Sequence, residues 1–177
     1  MRTWSDEKNK SRFYNCKISR TFCYPSAKTF SMPIVKSILK FYVGDGKGWA
    51  DPFSNNSTIA EYRNDLCEDY ENAQFHMDAI EFLKKFENGS LNGALFDPPY
   101  SLNQSNIHYG GRRMIRSSVV MDEIARIVRK DGIVISFGWN STGLGHRRGF
   151  EKIEIIIINH GGRRNDTIVV VERKIRP

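Results

Sequence analysis

The stretch Leu91–Tyr100, LNGALFDPPY, decides the fold class, because an apolar run is followed at once by an acid, two prolines and an aromatic ring. Short apolar runs bounded by turn residues are typical of buried strands. Pro98 and Pro99 cannot donate backbone hydrogen bonds and have fixed φ angles, so neither a strand nor a helix continues past Asp97. The sequence therefore predicts a strand whose end holds an acid and an aromatic ring in place.

Similar runs alternate with helical patterns along the chain, which is typical of an α/β fold with a mostly parallel sheet of about seven strands. We expect strands near 49–53, 60–66, 74–78, 91–97, 133–138, 151–159 and 166–173, the last two forming a C-terminal antiparallel hairpin that closes one edge. We expect a first helix that Ser31 caps, with Pro33 in its first turn and Gly44 at its end. Further helices are expected near 79–87 and 117–130, the last ended by Asp131-Gly132. Only about six residues separate the first two strands, so the first crossover helix is expected to be shortened.

The 177 residues are enough for one domain with a sizeable core, so we expect a single domain over residues 1–177. Residues 1–31 are basic and rich in aromatics without a clear period, and we expect them to form an N-terminal arm that packs over the domain. The chain has no apolar run long enough for a membrane span and no apolar stretch of the secretory type near its start. We therefore expect a cytoplasmic protein that does not enter a membrane.

Charge is distributed unevenly along the chain. Residues 1–50 carry ten Lys/Arg against three Asp/Glu, residues 51–100 carry three against ten, and residues 101–177 carry fourteen against seven. Basic flanks favour a polyanionic partner such as nucleic acid, whereas an acidic segment favours a small cation or is a solvated face.

Four acids are predicted at the carboxyl ends of strands, namely Asp51, Asp65, Asp78 and Asp97. Ligands of open α/β sheets bind outside these strand ends. A single Asp at such a position is commonly a turn former or a helix cap. Four of them together indicate a ligand site.

These residues resemble the S-adenosylmethionine-dependent amino-methyltransferases that modify adenine N6 or cytosine N4, particularly their small phage- and prophage-type members. Asp97-Pro98-Pro99-Tyr100 resembles the catalytic DPPY motif of that family. Asp51-Pro52-Phe53, followed by Thr58, resembles the cofactor motif that begins DPF and continues to a threonine. The resemblance implies a Rossmann-like class I methyltransferase fold, S-adenosylmethionine as cofactor and no metal.

Further cofactor contacts are implied by the same resemblance. Asp65 matches the acid that binds the ribose hydroxyls, and Asp78 matches the acid near the cofactor's adenine. Phe30 and Pro33 resemble the phenylalanine-proline segment that helps to enclose the cofactor.

The chemistry of an exocyclic base amine explains why an acid and a proline serve here. The lone pair of this amine is delocalised into the ring, so the amine is a poor nucleophile. Asp97 and the Pro98 carbonyl can accept its two hydrogens and localise the lone pair toward a methyl donor. Tyr100 offers a face on which a flipped base can stack.

The loop after DPF departs from the family pattern, because Ser54-Asn55-Asn56-Ser57-Thr58 replaces the expected glycines. Asn55 adopts a left-handed conformation more readily than most residues, so the loop can still turn. The alternative to an enzyme is therefore a methyltransferase-like protein that has lost cofactor affinity and binds nucleic acid or another subunit.

Three arginine pairs follow glycines and are candidates for phosphate contacts or ordinary solvated turns: Arg112 and Arg113, Arg147 and Arg148, and Arg163 and Arg164. We expect adenine N6 in DNA as the target, with RNA as the alternative, and the sequence does not separate adenine from cytosine. No segment has the length of an additional recognition region, which leaves the loop 101–116 and the hairpin as candidates for target recognition. A homodimer and a separate specificity subunit stay open as partners.

Overall fold

The computed structural model describes residues 16–26, 28–99 and 117–176. Its strands are β1 (Lys17–Phe22), β2 (Trp49–Asp51), β3 (Tyr62–Arg63), β4 (Leu91–Phe96), β5 (Val128–Gly138), β6 (Phe150–Asn159) and β7 (Thr167–Lys174). Its α-helices are α1 (Pro33–Tyr42), α2 (Ala79–Leu83) and α3 (Ser117–Ile127), with 3-10 turns at Thr29–Ser31 and His146–Arg148. Across these described ranges, no helix has the length and apolar character needed to cross a membrane.

One sheet contains all seven strands, in the order β1-β6-β7-β5-β4-β2-β3. Strand β7 runs antiparallel to β5 and β6, and the other pairings are parallel. The prediction of a mostly parallel sheet with an antiparallel C-terminal hairpin is therefore confirmed. Residues 52–61 join β2 to β3 through turns without a helix, so the shortened crossover is confirmed as well.

Strand β4 is apolar toward both faces of the sheet, and helices cover both. Because side chains alternate between faces, Leu95 packs with Leu39 of α1, whereas Phe96 packs with Phe82 of α2 and Ile124 of α3. Burial of each such side chain contributes about 1.5–3 kcal/mol. The end of β4 is thus held from both faces of the sheet.

The β3 edge of the sheet is shorter than the sequence predicts. Strand β3 has two residues, and the strand expected near 74–78 is reduced to one bridge between Phe75 and Asn64. Helix α2 ends at Leu83, four residues before the predicted end. The segment between β3 and α2 is mostly polar, so it offers few apolar side chains to bury and its ladder stays short.

The opposite edge is formed by β1 rather than by the C-terminal hairpin, so that part of the prediction was wrong. Strand β7 lies between β5 and β6, and β1 pairs in parallel with β6, with Lys17 opposite Glu154 and Phe22 opposite Asn159. An edge strand buries little, and Ile18 is 67% exposed. This explains why the sequence of β1 carries no clear period.

Helix α3 ends three residues earlier than predicted because β5 begins at Val128. Residues 129–132 bulge out of the β4–β5 ladder, and Asp131 has a φ of 65°. Lys174, buried at the end of β7, donates hydrogen bonds of 2.7 Å to the carbonyls of Ala125 and Val128. A buried ammonium thus satisfies carbonyls that the end of the helix leaves open.

Replacement of this ammonium tests its role. We expect Lys174→Met to lower the free energy of unfolding by about 1–3 kcal/mol, because two carbonyls at the end of α3 lose their donor. Urea denaturation measures the change. The exposed neighbour provides the control, and Arg173→Gln should change stability by less than about 0.5 kcal/mol. Equal effects of the two substitutions would contradict the capping role.

Candidate active site

Three carboxyl groups meet where the parallel strands end. Asp51 is the last residue of β2, Asp65 follows β3 and Asp97 follows β4. The charges of Asp97 and Asp65 both raise the pKa of Asp51, so the three groups lie within electrostatic reach of one another. Asp78, the fourth predicted acid, is the N-cap of α2 and accepts a hydrogen bond of 2.9 Å from the Ile80 N–H.

The carboxyl group of Asp51 is fully buried and only partly hydrogen-bonded. Its Oδ1 accepts from the Phe53 N–H at 3.1 Å, whereas its Oδ2 has no hydrogen-bond partner in the described ranges. Burial is the largest cause that raises the pKa of this carboxyl well above its ordinary range, and the neighbouring carboxylates add to it. A buried acceptor without a donor is costly, so the position favours a cation or a hydrogen-bond donor.

The loop after β2 turns at Asn55, whose backbone is left-handed as expected. Asn55 has a φ of 48°, in the left-handed region, and its N–H donates to Asp65 Oδ2 at 2.9 Å. The Cys67 N–H donates to the other oxygen of Asp65 at 3.0 Å. Asp65 itself is 0% exposed. The predicted ribose-binding acid therefore holds two loops together with both of its oxygens.

Asn64 is a site residue that the sequence interpretation missed. Its buried amide donates to the carbonyls of Pro52 and Met77 and accepts from the Met77 N–H, over 3.0–3.2 Å. It thereby fastens the loop after β2 to the segment that precedes α2. The available signal was a polar side chain next to an acid at a strand end, where backbone groups need partners.

The other predicted cofactor residues lie around this cluster or beside β5. Pro52 and Phe53 are buried in the loop, whereas Thr58 is exposed. Phe30 is half-buried and packs against Phe137 of β5, with ring centroids 5.1 Å apart, and Pro33 is the exposed first residue of α1.

The predicted catalytic residues follow β4 directly. Asp97 and Pro99 are half-buried, and Pro98 is buried. Tyr100, Arg112 and Arg113 lie outside the described residues, so their predicted roles stay predictions.

A cavity of about 430 Å³ opens beside Asp97, at the end of the sheet where β5 and β6 finish and β7 begins. Its wall includes Trp139, directly after β5, and residues of the hairpin turn (residues 160–166) that joins β6 to β7. Trp139 is 48% exposed. The rule that ligands bind at the carboxyl ends of strands could have found this tryptophan, because it follows a predicted strand end.

His160 fixes the hairpin turn against the segment that follows β1. Its Nδ1 bonds with the Cys23 carbonyl at 2.7 Å, and its Nε2 bonds with Thr167 Oγ1 at 2.9 Å. The side chain is almost entirely buried and lines the cavity. Both ring nitrogens are thus engaged in joining three segments of the wall.

The described arginine pairs lie at opposite ends of β6. Arg163 and Arg164 are exposed in the hairpin turn, and Arg164 lines the cavity. Arg147 and Arg148 precede β6, which is ten residues long, so the two pairs are roughly 30 Å apart. Arg148 donates to Asp122 Oδ1 at 2.7 Å and to Ser118, which ties it to α3. Of the two pairs in the described ranges, the Arg163–Arg164 pair is the one that adjoins the cavity.

Comparison with solved structures finds methyltransferases across most of the chain. TrmN from Thermus thermophilus matches at a TM-score of 0.53 and 18% identity over 81% of this chain, which spans 49% of that protein. The 1,6-didemethyltoxoflavin-N1-methyltransferase from Burkholderia thailandensis was solved with S-adenosylhomocysteine. It matches at a TM-score of 0.55 and 13% identity, and the match covers 85% of this chain and 80% of that protein. Precorrin-6y C5,15-methyltransferase from Geobacter metallireducens matches at a TM-score of 0.57 and 9% identity, and the match covers 85% of this chain and 94% of that protein.

The chain has a Rossmann-like methyltransferase fold. No protein-family model matches the sequence, and no curated protein matches it either. Because the identities are low, the likeness concerns the methyltransferase fold and not a particular reaction.

The raised pKa of Asp51 predicts a pH-dependent stability in this methyltransferase fold. A carboxyl group whose pKa is raised by folding stabilises the folded state below its ordinary pKa near 4, and this contribution is lost as the pH rises through the folded-state pKa. The side chain introduced by Asp51→Asn cannot ionise, so this variant does not lose the contribution. The free energy of unfolding of Asp51→Asn should therefore increase relative to that of the wild type as the pH rises from about 4 to about 8. Urea denaturation across this range measures the difference, with exposed Asp45→Asn as the control. Parallel profiles for wild type and Asp51→Asn would contradict the assignment.

The amide of Asn64 should hold the loops of the candidate site together. We expect Asn64→Ala to lower the free energy of unfolding by about 1–3 kcal/mol, because the Met77 N–H and two carbonyls lose their partners. Hydrogen exchange should show faster exchange of the Met77 amide. Exposed Asn56→Ala is the matched control, and an unchanged Met77 amide in Asn64→Ala would argue against this role.

Proposed function

We propose that the protein transfers a methyl group from S-adenosylmethionine to the exocyclic amino group of a nucleobase, adenine N6 in DNA. The observation that carries the proposal is the position of Asp97 and Pro98. They follow β4 directly, and Asp97 both adds its charge to the buried carboxyl cluster and lines the open cavity. An acceptor pair at that position suits a reaction in which an amine meets a cationic donor.

The carboxyl cluster fits the cofactor that the fold family uses. Asp51 Oδ2 is a buried acceptor without a donor, and two further carboxylates add negative potential around it. S-adenosylmethionine carries a sulfonium and an ammonium, and when bound it supplies an electrophilic methyl group. Asp51 would hold this cation together with the loop of Asn55 and Thr58, with Asp65 contributing its charge, Asp78 near the adenine, and Phe30 and Pro33 at the margin.

Asp97 and Pro98 supply the acid–base chemistry. The carboxylate of Asp97 accepts one hydrogen of the amine, and the Pro98 carbonyl, which has no N–H beside it, accepts the other. This localises the nitrogen lone pair. As the nitrogen gains its new bond to carbon, the methyl–sulfur bond of the donor would break and leave a neutral thioether, and Asp97 takes the proton that the nitrogen loses and passes it to water. Positioning of the amine supplies most of the rate enhancement, because no covalent intermediate with the protein is needed.

The basic hairpin turn supports a nucleic acid as the substrate. Arg163 and Arg164 are exposed beside the cavity, where they can bind backbone phosphates. Phosphate contacts give affinity without sequence selection. We therefore assign sequence selection to a second copy of the chain or to a separate subunit, and RNA is tested as the alternative substrate.

A second candidate function is nucleic-acid binding without catalysis. Asp51, Asp65 and Ser54 are buried, and both oxygens of Asp65 already accept backbone N–H groups. Because Asp65 is 0% exposed, a cofactor could reach it only if the loops that bury it moved and loosened these hydrogen bonds. If Asp65 keeps these hydrogen bonds, the cofactor does not bind, and the protein acts as a methyltransferase-like module that binds nucleic acid.

Transfer of a labelled methyl group from S-adenosylmethionine tests the enzymatic proposal. We expect unmethylated DNA to be labelled at adenine by the wild type, and Asp97→Ala to lower the rate by at least about 100-fold, because the amine loses its carboxylate acceptor. Asp45→Ala removes an exposed carboxylate before β2 and should leave the rate unchanged.

Three results would contradict it in different ways. If the label appears in RNA alone, the substrate is RNA and not DNA. If the label appears on cytosine, the target base is cytosine and not adenine. Equal rates for Asp97→Ala and the wild type would remove Asp97 from the mechanism. Calorimetry that detects no binding at millimolar S-adenosylmethionine, with nucleic-acid binding intact, would favour the binding module.

A further inference from the structure

The wall of the cavity combines an acid, an aromatic face and a guanidinium. Asp97 stands at the end of β4, Trp139 at the end of β5, and Arg164 and Asn165 in the hairpin turn. Trp139 keeps about half of its surface exposed, although tryptophan is usually well buried. An indole face near a carboxylate and a guanidinium provides the three contacts that one nucleotide can make: stacking, hydrogen bonding by its amine, and phosphate binding.

The wall is held in shape by hydrogen bonds that do not involve these three groups. His160 joins Cys23, in the segment after β1, to Thr167 at the start of β7. Asp166 Oδ1 accepts from Asn159 Nδ2 at 3.0 Å, and Asn159 Oδ1 accepts from the Gly161 N–H at 3.1 Å. The turn that carries Arg164 and Asn165 is therefore preorganised, which lowers the entropy cost of binding a ligand.

The hairpin turn also presents positive charge at the rim of the cavity. Arg163 lies over the ring of Tyr24 at 5.4 Å, which orients its guanidinium, and Arg164 follows it on the cavity wall. Asp97 follows β4, which β5 separates from the hairpin strand β7 in the sheet. A ligand that spans the cavity thus meets the Asp97 carboxylate and the Arg164 guanidinium on separate parts of the wall.

We propose that this cavity receives the acceptor nucleotide, with its base stacked on Trp139 and its phosphate bound by Arg164. Asn165 offers an amide to the edge of the base, and the exocyclic amine then faces Asp97. The inference rests on the proposed function and deepens it, because it names the residues that hold the substrate. His160 is a positioning residue that acts through the hairpin turn.

A stacking role for Trp139 is testable by fluorescence. The probe is a short thymidine single strand that carries one central deoxyadenosine, with the all-thymidine strand for comparison. We expect the adenine strand to quench the intrinsic fluorescence of the wild type, and the quenching to disappear in Trp139→Phe. By anisotropy of labelled strands, Trp139→Phe should keep most of the affinity, whereas Trp139→Ala should lose about five-fold or more, the lower end of what one stacked base contributes. Unchanged affinity in Trp139→Ala would overturn the stacking role.

A phosphate contact by Arg164 is testable through salt dependence. We expect Arg164→Gln to weaken binding of both strands and to reduce the slope of log affinity against log salt by about one. Arg173→Gln is the matched control, since Arg173 is an exposed arginine at the far end of the same β7 strand that begins at Thr167. Its slope should equal that of the wild type, and equal slopes for Arg164→Gln and the wild type would overturn the phosphate contact.

Cofactor calorimetry separates this inference from the proposed function. If the wild type binds S-adenosylmethionine and methylates DNA while the Trp139 and Arg164 variants bind DNA normally, the cavity assignment is wrong and the proposed function stands. If the wild type binds the strands through Trp139 and Arg164 but not the cofactor, the cavity assignment stands and the enzymatic function fails. If it binds neither, both fail.

Discussion

Burial of the Asp51 carboxyl group, beside the charges of Asp65 and Asp97, is the constraint around which the carboxyl edge of the sheet is organised. Two backbone N–H groups donate hydrogen bonds to the carboxyl group of Asp65, and one donates to that of Asp51, which offsets part of the cost of burying these groups. The compensation is therefore incomplete at Asp51, whose second oxygen is buried without a donor in the described ranges. Because charge buried at low dielectric interacts strongly, the edge retains a preference for a positive ligand.

Sheet topology converts the charge pattern of the sequence into a division in space. The acidic residues 51–100 build the half of the sheet with β2, β3 and β4, whereas the basic residues 101–177 contribute β5, β6 and β7. Strands β4 and β5 are neighbours, so the boundary between the two halves passes beside Asp97. The proposed cationic donor and anionic acceptor would thereby be attracted to adjacent regions that meet beside Asp97.

Local patterns were sufficient to predict most of the sheet. The apolar runs of β4, β6 and β7 have long, strongly patterned sequences, and their strands match the expected ranges closely. Prediction failed where an element depends on a distant partner. Strand β1 is stabilised by pairing with β6, and α3 ends where Val128 pairs with Leu91 of β4. No local window of sequence contains either pair of partners.

The candidate site was predictable to the same extent. The acids at strand ends follow from topology and from the DPPY resemblance, so their positions were available from the sequence. Asn64 lies near a predicted strand end and Trp139 follows one, so their positions were available, but their contacts with remote segments were not. His160 had no such signal, because it acts only through contacts with residues remote in the chain. A polar or aromatic residue in such a position looks like any other loop residue until its partners are known.

The bridge from His160 to Cys23 connects residues 137 positions apart in the chain. Contacts of such long range slow folding, because the entropy of closing the loop is lost before the contact compensates for it. During synthesis, β1 therefore has no neighbour until the hairpin has emerged from the ribosome. Its backbone N–H and C=O groups would spend that interval without their partners on β6, which leaves an unpaired strand in the nascent chain.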